Sequence, residues 1–182
     1  MPRMRRLFFA LAAPTLPSPL EARIEALVRE LGARPSALAS RHITLAFLGD
    51  VEEARVADVL RAGQAAAQRA RRSEYALDRL GGFPVGVARI LALSGWAPPE
   101  LASLAAELGR ELLARGFTVD RKPFRLHVTV ARLRTPRAVP PHDIDKLHGP
   151  AEEIRLYESE LLSAGAHYTV LETWRAGDGL RA

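Results

Sequence analysis

Residues 5–12, RRLFFALA, begin the chain's first apolar run, and its continuous character predicts a buried strand. A loop, PTLPSP, follows. Ser18 then stands as a helix cap, with Pro19 at the first helical position and Glu21 three residues on. Leu20, Ile24, Leu27, Val28 and Leu31 recur at helical spacing until Gly32. A second strand is expected over 42–48 and an Ala/Arg-rich helix over 52–70. Strands at 75–80 and 88–94 flank the GGFPVG turn. A third helix, 99–115, carries Leu101, Leu104, Ala105, Leu108, Leu112 and Leu113 on one side and stops at Gly116. A strand over 124–133 comes next, then a Pro/His-rich loop over 135–150. The chain closes with EIRLYESEL and AHYTVLETW, two strands hinged near SAGA.

Helices alternate with strands, but hairpins are mixed in. That pattern argues for an α+β fold with mostly antiparallel sheets, not a doubly wound parallel one. No composition break marks a linker, so residues 1–182 read as a single two-lobed domain.

Two of the strands repeat each other. HITLAFL (42–48) and HVTVARL (127–133) agree at the His, the Thr, the Ala and the final Leu. Each follows a helix and a loop, which suggests two similar lobes related by a pseudo-twofold, with the repeated strands face to face. In a strand, residues two apart share a face. His42, Thr44 and Ala46 are then expected on one side, with Ile43, Leu45 and Phe47 behind. His127, Thr129 and Ala131 follow the same rule. Brought together, the strands surround a cleft with two imidazoles and two hydroxyls.

A strand histidine is more often a structural residue than a catalyst, and threonine is a good strand former. Five His and seven Thr predict only about 0.2 chance occurrences of His-x-Thr in 182 residues, yet there are two, in matching apolar strands. The chemistry such a set performs is acid and base work near neutral pH, with hydroxyl donors for phosphate oxygens and no metal.

Composition narrows the field. No cysteine is present, which excludes disulfides, thiolate metal sites and a Cys nucleophile. The formal charge of +5 suits a polyanionic partner, and nearly all the cations are Arg. The first residues imitate a secretory signal, but the apolar run is short and cramped against Pro14. No stretch has membrane-spanning length. The expectation is a cytoplasmic protein, with no membrane partner.

HITL (42–45) and HVTV (127–130) resemble the paired His-x-Thr-x motifs of the two-histidine (2H) phosphoesterases, specifically the RNA 2′,3′-cyclic phosphodiesterases once described as 2′-5′ RNA ligases. RLFFAL, LAFLGDV and LYESELLSAGAHYTVLETW look like further family segments, so the resemblance covers almost the whole chain. Leu126 stands where the family often has Pro, and Val130 where Leu is common. The resemblance implies a bilobal fold with the cleft between lobes. It implies His42 as general acid, His127 as general base, and Thr44 and Thr129 as phosphate ligands. Arg132 sits where the family often has Arg, though regular alternation puts it opposite His127. The implied partner is RNA with 2′,3′-cyclic phosphate ends, tRNA fragments among them, with no cofactor or metal; the chain itself is expected to be a monomer. A non-catalytic RNA-binding module and a 2H enzyme for a small cyclic nucleotide are the alternatives.

Other residues carry smaller expectations. His142 and His148 match no strong metal-ligand spacing and read as solvated loop residues. His167 reads as exposed or packed at the bend of the last hairpin. Phe124 and Tyr168 could stack a base, but core packing is the simpler role. The cluster RARRS (69–73) either touches an RNA backbone or satisfies a helix C-terminus.

Overall fold

A computed structural model describes residues 2–120, 122–162 and 165–177. The described residues form two antiparallel sheets with three α-helices, an α+β fold. Strand β1 (Met4–Ala12) leads to α1 (Ser18–Leu31), the two-residue β2 (Arg34–Pro35) and β3 (His42–Glu52). Helix α2 (Val56–Arg69) precedes β4 (Ser73–Phe83) and β5 (Ala88–Trp96). Helix α3 (Pro99–Ala114) precedes β6 (His127–Arg137), β7 (His142–Ala151), β8 (Glu153–Leu162) and β9 (Gly165–Arg175).

The first sheet has the order β3-β1-β8-β9 and the second β2-β6-β5-β4-β7. Apart from the short β2, both place a repeated strand at one end and run three further strands away from it. That is the pseudo-twofold the repeat suggested. The two repeated strands, β3 and β6, lie against each other where the sheets meet. One large core holds the inner face of both sheets, from Leu7, Phe9 and Leu11 of β1 to Leu91 and Leu93 of β5. Helix α2 sits close to the first sheet because Gly63 has no side chain. A Cβ there would come within 2.6 Å of the Trp174 ring and 2.8 Å of Phe9.

Most elements fall where the hydrophobic pattern puts them, with four corrections. Ser18 is the first residue of α1, and Pro17 occupies the N-cap without any side-chain cap bond. The helix expected from residue 52 starts later, because β3 runs to Glu52 and a single 3-10 turn, Glu53–Arg55, intervenes. The strand expected from residue 124 begins only at His127, and much of the expected loop 135–150 is strand. β6 runs on to Arg137, and β7 pairs with β4 from Ser73↔Ala151 to Leu80↔His142. β7 is an edge strand, largely exposed, and a register shift between Leu77 and Arg79 interrupts its pairing. Backbone bonds to β4 hold it, so no apolar alternation was needed to specify it. The expected hinge at residues 163–164 lies outside the described residues. No helix among the described residues is long and apolar enough to cross a membrane.

Candidate active site

The pairing of β3 with β1 sets the first half of the site. Ala12↔His42 and Ala10↔Thr44 place His42 and Thr44 on the face that carries Phe8, Ala10 and Ala12. Between Phe9 and Ala10 the register shifts: Phe9 opposes Ala46 and Phe8 opposes Phe47. Leu45 is therefore the extra residue of a β-bulge, and the alternation resets after it. The second half repeats this. Ser94↔His127 and Ala92↔Thr129 precede a shift to Leu91↔Ala131 and Ile90↔Arg132, so Val130 is the extra residue.

These matching bulges overturn one expectation and resolve another. Ala46 and Ala131 do not share the His/Thr face. They pack inward with Leu45 and Val130, two consecutive core-directed residues in each strand. Phe47 and Arg132 take the places beside the Thr instead. Phe47, expected on the back, is 43% exposed. Arg132 reaches the His127 face through the bulge. Aligning the repeats shows the signal: Phe47 and Arg132 occupy the one position where HITLAFL and HVTVARL differ in chemical kind.

Each histidine is oriented in the same way. His42 Nδ1 lies 2.7 Å from the Ser40 carbonyl, and His127 Nδ1 lies 2.9 Å from that of Arg125. A carbonyl only accepts, so Nδ1 carries the proton in both rings and Nε2 is left with the lone pair. Neither Thr hydroxyl has a hydrogen-bond partner among the described residues, and both remain available as donors. The start of β3 is pinned by Arg41, whose side chain is 8% exposed and donates to Glu21 of α1 at 2.6 Å.

The rings rest on aromatic supports, of which the sequence singled out Tyr168 but not Phe8 or Phe83. His42 lies 4.8 Å from Phe8 and meets Tyr168 edge-on at 5.3 Å, above a small cluster of Phe8, Ala10 and Tyr157. His127 stacks on Phe83, 4.2 Å between centroids and 15° between planes. The Arg125 guanidinium also lies over the Phe83 ring, at 4.7 Å. Burial pushes both imidazoles below their ordinary proton affinity, and the carbonyl bonds oppose it only in part. His42 also feels the positive charge of His127 and Arg132, and His127 that of Arg125. His42, His127 and Arg132 thus lie within reach of one another's charge, and Thr44 and Thr129 stand on the same strand faces as their histidines.

The remaining candidates stand elsewhere. His142 and His148 are exposed on β7, where His148 bonds Glu74 at 2.7 Å. His167 is exposed on β9. Tyr168 packs against Phe8, as core packing required. Phe124 packs partly on the main core and also lines a cavity. Arg69 is paired with Glu107 and Glu111 of α3, so that part of the basic cluster joins two helices.

A family model described as the 2′-5′ RNA ligase superfamily matches residues 16–161. The chain belongs to that superfamily. A Thermus thermophilus protein named RNA 2′,3′-cyclic phosphodiesterase is 31% identical over 177 residues, 92% of this chain and 88% of that protein. A protein of the same name from Aeropyrum pernix is 31% identical over 76% of this chain and 84% of its own length. A Geobacillus stearothermophilus protein, also so named, is 38% identical over 92 residues, which are 50% of this chain and only 29% of that protein. Among solved structures, one from Thermus thermophilus superposes with a TM-score of 0.74 at 30% identity, covering 94% of this chain and 98% of that one. Escherichia coli LigT complexed with NADP+ superposes at 0.72 and 27% identity, covering 97% and 100%. The two-sheet architecture is therefore that of LigT-like phosphoesterases, and this member of the superfamily is a phosphoesterase by kinship.

Proposed function

We propose that this protein opens RNA 2′,3′-cyclic phosphate ends to 2′-phosphates by two-histidine acid–base catalysis. The observation that carries the reading is the duplicated half-site. Each half offers an Nε2 lone pair fixed by a carbonyl behind the ring, and a hydroxyl donor two residues on, on the same face. In the step proposed, His127 Nε2 takes a proton from water as the water oxygen bonds to phosphorus. The P–O3′ bond breaks, and His42, carrying a proton on Nε2, delivers it to O3′. Which imidazole is acid follows the family resemblance. Thr44, Thr129 and Arg132 hold the non-bridging oxygens as charge grows on them. If a 5′-hydroxyl stands where water does, the same bond breaks and a 2′-5′ linkage forms. Weak joining of tRNA halves is thus the same chemistry with another nucleophile.

The test is incubation with an oligonucleotide ending in 2′,3′-cyclic phosphate, before and after exhaustive EDTA treatment, with analysis of product ends. A 2′-phosphate formed at undiminished rate is expected. A 3′-phosphate, or activity lost in EDTA and restored by a divalent metal, overturns the mechanism. Binding of the oligonucleotide without any cleavage returns the non-catalytic RNA-binding reading.

The hydroxyls have their own expected outcome. Thr44→Val and Thr129→Val keep the β-branched shape and remove only the donor. Each should lower kcat about 10-fold or more with the melting temperature held within a few degrees, as loss of one charge-stabilising donor does. Unchanged kcat in both variants would remove the threonines from the site.

A further inference from the structure

A cavity of about 520 Å³ opens beside the histidines, with Thr44 and His127 at its edge and α3 as its far wall. That volume lies in the roughly 300–1,000 Å³ range of small-molecule sites. We propose that it holds the nucleotide preceding the cyclic phosphate, so that the substrate is an RNA strand and not a free cyclic mononucleotide. The proposal rests on the cyclic phosphodiesterase reading and deepens it.

Chemistry and shape both point this way. Phe47 and Phe124 line the cavity beside Phe83, whose ring is taken up by His127 and Arg125, and aromatic faces such as those of Phe47 and Phe124 take any base in turn. Small residues of α3, Ala102, Ala106 and Gly109, leave the space open and present no side-chain donor or acceptor to a base edge. Stacking without sequence readout is what such walls provide. Charge gives the stronger argument. A cyclic mononucleotide has a single negative charge, and that charge lies between the histidines. Arg110, Lys122 and Arg125 also line the cavity. Arg110 is bonded to Glu107, and Lys122 to Asp120 at 3.3 Å, the one acid on the cavity wall among the described residues. Arg125 has no carboxylate within ion-pair distance among the described residues, and its guanidinium lies over Phe83. A cation so placed suits an internucleotide phosphate, which only a strand supplies.

Steady-state kinetics on 2′,3′-cyclic AMP and on the dinucleotide ApA ending in 2′,3′-cyclic phosphate test this. The dinucleotide should have a KM about 10-fold lower, with kcat little changed, and the base at its 5′ position should matter by less than about 3-fold. Gly109→Trp fills the cavity. A Cβ at Gly109 meets no atom within 4 Å, and replacing a mid-helix glycine favours the helix, so the variant folds. It should erase the dinucleotide's advantage through KM. Arg125→Gln should raise KM for the dinucleotide several-fold more than for cyclic AMP, and lessen the salt dependence of dinucleotide binding. Equal KM values for the two substrates in the unaltered protein, or an advantage that survives Gly109→Trp, overturn the proposal. If neither substrate is hydrolysed, the phosphodiesterase reading itself has failed.

Discussion

His42→Ala and His127→Ala should each reduce turnover of a 2′,3′-cyclic phosphate by about 10²–10⁴-fold, the range that a positioned acid or base contributes. The fold should survive. Neither ring belongs to the main core, and each lies at the head of its strand. Removing His42 uncovers Phe8 and Tyr168, and removing His127 uncovers one face of Phe83. If the two imidazoles act in one step, the double variant should be hardly slower than the worse single one, because half a relay is worth little more than none. Single-turnover rates on purified variants, with circular dichroism to confirm folding, decide the matter. Near-wild-type turnover in either single variant would sink the two-histidine mechanism.

The rate should follow a bell in pH, changing about 10-fold per pH unit on each limb, since only the singly protonated pair is competent. Both imidazoles are held below the ordinary value of 6.5 by burial, and by neighbouring positive charge. The optimum of kcat/KM, which reports the free protein, should therefore lie on the acid side of 6.5. Bound phosphate adds negative charge and raises proton affinity, so the optimum of kcat should lie higher than that of kcat/KM. The limbs belong to the pair and not to either residue. Arg132→Gln removes one of the charges that disfavour protonated His42, and should move the kcat/KM bell upward as well as weaken phosphate binding. A kcat/KM optimum well above 7, or one that Arg132→Gln leaves in place, would contradict this electrostatic account.

Stability follows the same sign. The unfolded chain holds protons on these histidines at higher pH than the folded one does. Their neutral burial is therefore fully tolerated above about 6.5. As pH falls below that value the unfolded state gains protons first, and stability declines until the folded values are passed. Urea midpoints measured between pH 7.5 and 5 should fall. His42→Gln and His127→Gln should flatten that decline, each by its share.

The helices and most strands were legible in the sequence because their cause is local. Leu20 to Leu31 at helical spacing, stopped by a left-handed Gly32, needs no tertiary partner to be read as α1. The repeated His and Thr were legible for the same reason: residues two apart share a face for as long as the strand stays regular. Beyond that point the sequence misled, because a bulge is a property of two strands and not of one. Only the register of β3 on β1 and of β6 on β5 turned Ala46 and Ala131 inward and brought Phe47 and Arg132 forward. β7 escaped notice because backbone bonds to β4, and no apolar face, make it a strand. Phe83 and Phe8 support the histidines from strands remote in sequence, where no spacing rule reaches. Residue types and local elements follow from short-range order along the chain, which is written in the sequence. Packing of the two sheets decided which side chains share a space, because that depends on contacts between residues some 80 positions apart.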